Sequence, residues 1–67
     1  MPIVQISMVK GRSHESKNRM MKEISWIVSE CAEVKLEAVR VLITEVDAEH
    51  WSVGGVLKSQ TVNNGHR

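Results

Sequence analysis

With 67 residues the chain is limited to one domain, and with a single cysteine, Cys31, it has no internal disulfide. Nine basic and eight acidic residues leave a net charge of +1, spread along the chain without the basic patch that a nucleic-acid surface requires. No apolar run approaches the roughly 20 residues of a membrane span, and the start MPIVQISMVKG has neither the charged segment nor the long apolar stretch of a secretion signal, so a cytoplasmic protein is expected. A domain this short buries only about 60% of the surface its unfolded chain exposes. No Cys/His cluster stands at zinc-like spacing, which leaves self-association as the expected remedy.

Residues 3–9, IVQISMV, predict a strand with Val4, Ile6 and Met8 on one face and Ile3, Gln5, Ser7 and Val9 on the other. The second set is mixed in polarity, as on a half-buried face or an interface. Lys10-Gly11-Arg12 ends the strand, and Ser13 is an N-cap candidate with Glu15 in the first helical turn. Residues 14–32 predict an amphipathic helix whose stripe is Met20, Met21, Ile24, Ile27, Val28 and Cys31, with Cys31 as inert core. Trp26 falls on nearly the opposite side and is expected in a subunit contact, where large aromatics are enriched.

A return loop over 33–38 leads to a second strand, VRVLITE over 39–45. In it Val39, Val41 and Ile43 face one way and Arg40, Leu42 and Thr44 the other. Strand, helix, strand in about 40 residues is a βαβ unit, which implies parallel strands. Residues 52–57 predict a short hairpin turned at Gly54-Gly55. The expected class is therefore α/β: a βαβ domain over 2–57 with a C-terminal hairpin, then a polar tail over 58–67, expected to be mobile. Two strands and one helix leave both sheet edges and one sheet face uncovered, a second reason to expect an oligomer.

Pro2 is the first candidate for chemistry. Methionine before a small residue is normally trimmed, and trimming here leaves a secondary amine held at the head of a strand. A free α-amino group titrates near 7.7–8.0, and positive neighbours or apolar surroundings lower that toward a useful general base. Arg12 and Arg40 carry guanidinium forks suited to carboxylates. Two forks and an amine suggest a dianionic or keto-acid substrate. Taken one at a time, Pro2 reads first as an ordinary second residue and Arg12 and Arg40 as surface arginines. Trp51 is either a core side chain or the apolar wall of a pocket. His14, His50 and His66 have no carboxylate or cysteine at motif spacing, and only His50 lies beside another candidate.

The opening Pro2-Ile3-Val4-Gln5-Ile6, the segment Gly11-Arg12-Ser13, the run from Val39 to Glu45 and the closing His50-Trp51-Ser52-Val53-Gly54-Gly55 together resemble the 4-oxalocrotonate tautomerase family, in order and in spacing. The resemblance covers residues 2 to about 57. It implies a homohexamer built as a trimer of dimers, acting on a small dicarboxylate or keto acid without metal or organic cofactor. It implies that Pro2 is the base, that Arg12 binds the distal carboxylate and draws electron density, and that Arg40 from another subunit holds the other end. It implies that Trp51, where phenylalanine is common, closes the wall across a subunit boundary. The expected reaction is ketonisation of 2-hydroxymuconate to 2-oxo-3-hexenedioate in aromatic catabolism. Lys10, Ser52, Val56, Trp26 and the longer tail depart from the family's best-known members. Two alternatives stand beside this reading: a 3-haloacrylate dehalogenase, for which Glu49 is the only nearby acid, and a non-catalytic oligomeric module.

Overall fold

Alternation of apolar and polar residues produces two strands, β1 (Ile3–Val9) and β2 (Arg40–Val46), in the computed structural model, which describes residues 1–63. They pair in parallel, from Ile3 opposite Arg40 to Val9 opposite Val46. The crossover is a single helix, α1 (His14–Ala32), followed by a 3-10 turn at Leu36–Ala38. A second 3-10 turn at Ala48–His50 leads to the antiparallel hairpin β3 (Ser52–Val53) and β4 (Val56–Leu57). Gly54 and Gly55 make its two-residue turn at φ 60° and 86°, a pair of left-handed conformations that glycine adopts without a steric penalty.

Local hydrogen bonds set the limits of α1. The Ser13 hydroxyl accepts the Ser16 N–H at 3.0 Å, so one of the unpaired donors of the first turn is satisfied. At the other end Glu33 turns left-handed at φ 57°. The Ser29 carbonyl takes the Val34 N–H at 3.2 Å, and the Ser29 hydroxyl donates to the Val34 carbonyl at 2.7 Å. The second strand starts one residue later than the pattern predicts. The Val39 N–H closes the preceding turn on the Leu36 carbonyl, so the ladder begins with the Arg40 N–H donating to Pro2 at 3.0 Å.

The helix covers one sheet face. Val4, Ile6 and Met8 are half-buried there, as are Val41, Ile43 and Glu45, beneath Met20, Met21, Ile24 and Val28. Two members of the expected helix stripe are exceptions: Ile27 is 53% exposed and Cys31 is exposed rather than core. Ile27 lies about 80° round the helix from the stripe's centre. Cys31 lies in the last turn of a 19-residue helix, about 28 Å long, which outruns seven-residue strands about 23 Å long. The stripe instead takes in Lys17, whose ammonium meets Glu45 at 2.9 Å with both side chains about three-quarters covered. A pair so placed is screened less than a surface pair such as Lys10–Asp47 or Arg19–Glu23.

The opposite sheet face is open. Ile3 is 60% exposed and Leu42 47%, and Trp26 projects from the far side of α1 at 57%. Among the described residues only Val39 is buried. The radius of gyration is 15.2 Å, against about 11 Å for a closed domain of this length. Residues 58–63, assigned to a mobile tail on their polar composition, form a short helix, α2 (Lys58–Asn63), tied back by the Lys58 N–H donating to the Trp51 carbonyl at 2.7 Å. The rest of that segment, 64–67, lies outside the described residues. Among the described residues no helix is long and apolar enough to cross a membrane.

Replacing the cap, Ser13→Ala, is expected to cost about 1 kcal/mol of stability in matched denaturation curves. An unchanged midpoint removes that role from Ser13.

Candidate active site

The parallel pairing sorts the four candidate residues into two pairs. Pro2 immediately precedes β1 and is half-buried, while Met1 before it is 78% exposed. The Pro2 carbonyl accepts the Arg40 N–H, so these two residues are locked side by side at the leading end of the sheet. The Arg40 side chain is exposed on the open sheet face, where its Nη1 donates to the Glu37 carbonyl at 2.7 Å.

Arg12 lies at the trailing end. It is exposed, just past Gly11, whose φ of 140° lets the chain turn out of β1. Arg12, Trp51 and Lys58 line one cleft of about 290 Å³, floored by Ser7, Met8 and Val9. Trp51 is half-buried, the condition for a wall that excludes water and strengthens charge contacts beside it. Seven strand residues, about 23 Å, separate this pair from Pro2 and Arg40 of the same protomer. The structure thus brings Pro2 to Arg40 and Arg12 to Trp51, and keeps the two pairs apart within one chain.

The two described histidines stay outside both pairs. His14 is exposed at the start of α1, His50 is exposed in the turn before Trp51, and His66 lies outside the described residues. Among the described residues no three His, Cys, Asp or Glu side chains gather in a metal-binding group. Lys58 is the cleft residue that reading by composition missed, because it opens a polar stretch. A signal was present in the hairpin register: Ser52 opposite Leu57 returns the next residue to the neighbourhood of Trp51.

The family model for the tautomerase enzymes matches residues 2–61, all of β1 through most of α2. A 2-hydroxymuconate tautomerase from Pseudomonas putida is 42% identical over 60 residues, 90% of this chain and 95% of that protein. The chain belongs to the 4-oxalocrotonate tautomerase family. It is accordingly a keto–enol tautomerase, an isomerase. Solved structures agree with the fold. A 4-oxalocrotonate tautomerase isozyme from Methylibium petroleiphilum superposes with a TM-score of 0.88 at 31% identity, covering 96% of this chain and all of that one. A heterohexamer 4-oxalocrotonate tautomerase from Chloroflexus aurantiacus J-10-fl gives 0.85 at 35% identity, covering 90% of this chain and 97% of that one.

For this tautomerase, Gly11→Ala is expected to destabilise by more than about 1 kcal/mol, because alanine is strained at a positive φ. The substitution meets no neighbouring atom within 4 Å, so a loss in denaturation experiments reports backbone strain at the turn that presents Arg12. A stability equal to wild type shows that the turn tolerates the side chain.

Proposed function

We propose that the protein, once Met1 is removed, ketonises 2-hydroxymuconate or a similar dienol dicarboxylate, with the Pro2 amine as general base. While Met1 is attached the Pro2 nitrogen is a tertiary amide with no basic lone pair. Removal of Met1 leaves a secondary amine at the head of β1. The amine takes the 2-hydroxyl proton, the 2-oxo group forms, the C2–C3 double bond moves to C3–C4, and the electron pair of the C4–C5 double bond is left to form a bond to hydrogen at carbon 5. The resulting ammonium returns a proton to carbon 5, so substrate and product are isomers. Arg12 binds the distal carboxylate and draws electron density toward the carbon that is protonated. Arg40 holds the carboxylate and oxygen at the near end. Trp51 walls the site and keeps the charged contacts away from water.

The observation that carries this reading is the separation of the two pairs by the length of β1. A site with Pro2 at one end and Arg12 at the other end of its substrate then takes these residues from different protomers. Closed cyclic assembly fits that requirement, and a homohexamer arranged as a trimer of dimers is the proposed form. Exposed Ile3 and Leu42 on the open sheet face give such an assembly an apolar surface to bury. Arg40 projects from the same face, where a neighbouring protomer's amine comes within its reach. Trp26 is assigned to a further subunit contact. With Trp51→Phe as background, Trp26 emission is expected to be blue-shifted in the assembled protein, and red-shifted emission there removes the assignment.

The direct test is ultraviolet-monitored ketonisation of 2-hydroxymuconate by protein whose mass shows the loss of Met1. Pro2→Ala is expected to lose most activity while remaining assembled. Arg12→Ala and Arg40→Ala each remove charged hydrogen bonds worth about 1.5–3 kcal/mol, a fall of roughly 10- to 150-fold in kcat/KM. Refolding Pro2→Ala and Arg12→Ala chains together is expected to restore about a quarter of the sites, by random pairing of intact ends in a symmetric assembly. No recovery from the mixture places both residues on one chain's site and ends the shared-site reading.

A further inference from the structure

We propose that Lys58 is a second cationic substrate-binding residue, one that selects dienols carrying a carboxylate at the far end. The inference rests on the dienol dicarboxylate reading above. Lys58 lines the same cleft as Arg12 and Trp51. Its position is set by backbone geometry: the Ser52–Leu57 register closes the hairpin, and the Lys58 N–H then bonds the Trp51 carbonyl at 2.7 Å. The residue that supplies the apolar wall and the residue that supplies the extra ammonium are therefore one hydrogen bond apart along the cleft rim.

The lining of the cleft favours an anionic ligand: a guanidinium and an ammonium both line it, and no carboxylate is among its described lining residues. The two cations have different capacities. Arg12 has a planar fork that fixes the orientation of a carboxylate, whereas the Lys58 ammonium is a hydrated point charge on a flexible stem. The charge that develops toward the far end during the reaction is taken up by the fixed Arg12 fork, while the flexible Lys58 ammonium pairs with the charge the distal carboxylate already carries, and so acts on ground state and transition state alike. Such uniform binding lowers KM and leaves kcat in place.

The experiment compares 2-hydroxymuconate with 2-hydroxy-2,4-pentadienoate, a dienol with one carboxylate, in the wild-type protein and in Lys58→Gln and Lys58→Arg, each freed of Met1. Glutamine keeps a polar stem and suits a helix, so the exposed position retains its local structure. For the dicarboxylate, Lys58→Gln is expected to raise KM about three- to tenfold with kcat unchanged, the range of an exposed to partly desolvated charge contact. KM for the monocarboxylate should move less than about twofold, and Lys58→Arg should keep the wild-type preference. In about 1 M salt, where the screening length is about 3 Å, the difference between wild type and Lys58→Gln should disappear. Equal increases in KM for both substrates, or none for either, overturn the assignment of Lys58. If wild type turns over neither dienol, the substrate class itself fails and the inference fails with it. Wild-type turnover with an unaltered Lys58→Gln KM overturns only the role of Lys58.

Discussion

Everything in this molecule depends on the parallel pairing of β1 with β2. A parallel pair cannot be joined by a tight turn, so the chain must cross over, and α1 is the crossover. The register that places Ile3 opposite Arg40 determines which side chains lie under the helix and which lie on the bare face. It also brings the Pro2 carbonyl to the Arg40 N–H at one end and leaves Arg12 a strand's length away. A slip of one residue exchanges the two faces, because side chains alternate strictly along a strand. The apolar cover and the disposition of the candidate site are thus consequences of one register.

Much of this was legible in the chain itself. The alternation over residues 3–9 gave β1, and Ser13 ahead of an apolar stripe gave the start of α1. Paired glycines between short apolar runs gave the hairpin. What was not legible depended on how long each element is and on what stands across from it. Nothing in the pattern of Met20, Ile24 and Cys31 says that a helix of 19 residues overhangs strands of seven, which is why Cys31 is exposed. Lys17 joins the covered face because Glu45 faces it from β2, a contact between residues 28 positions apart that periodicity cannot register. Val39 was assigned to the strand, but its N–H is taken by the preceding turn.

The site shows the same division. Pro2, Arg12, Arg40 and Trp51 are recognisable together as a family pattern, and their residue types state what chemistry they suit. Their grouping into two distant pairs appears only when the strands are laid parallel. Lys58 was hidden for a different reason: a polar residue at the start of a polar segment carries no local mark of a cleft. It acquires a position only through the hairpin that brings it back to Trp51. Family membership, by contrast, does not depend on any one of these placements, since the match extends from residue 2 to 61.

The thin interior has a consequence for how such a chain must live. Among the described residues a single side chain, Val39, is buried, so a lone protomer holds little of the apolar stabilisation that ordinarily opposes chain entropy. Under the proposed assembly, most of that stabilisation arrives only when protomers meet. Folding then becomes a reaction of order higher than one, whose yield rises steeply with the amount of chain present. Dilution acts as a denaturant, and a substrate bridging two protomers acts as a stabiliser of both. For a protein built this way, the level at which it is made is itself a determinant of whether it folds.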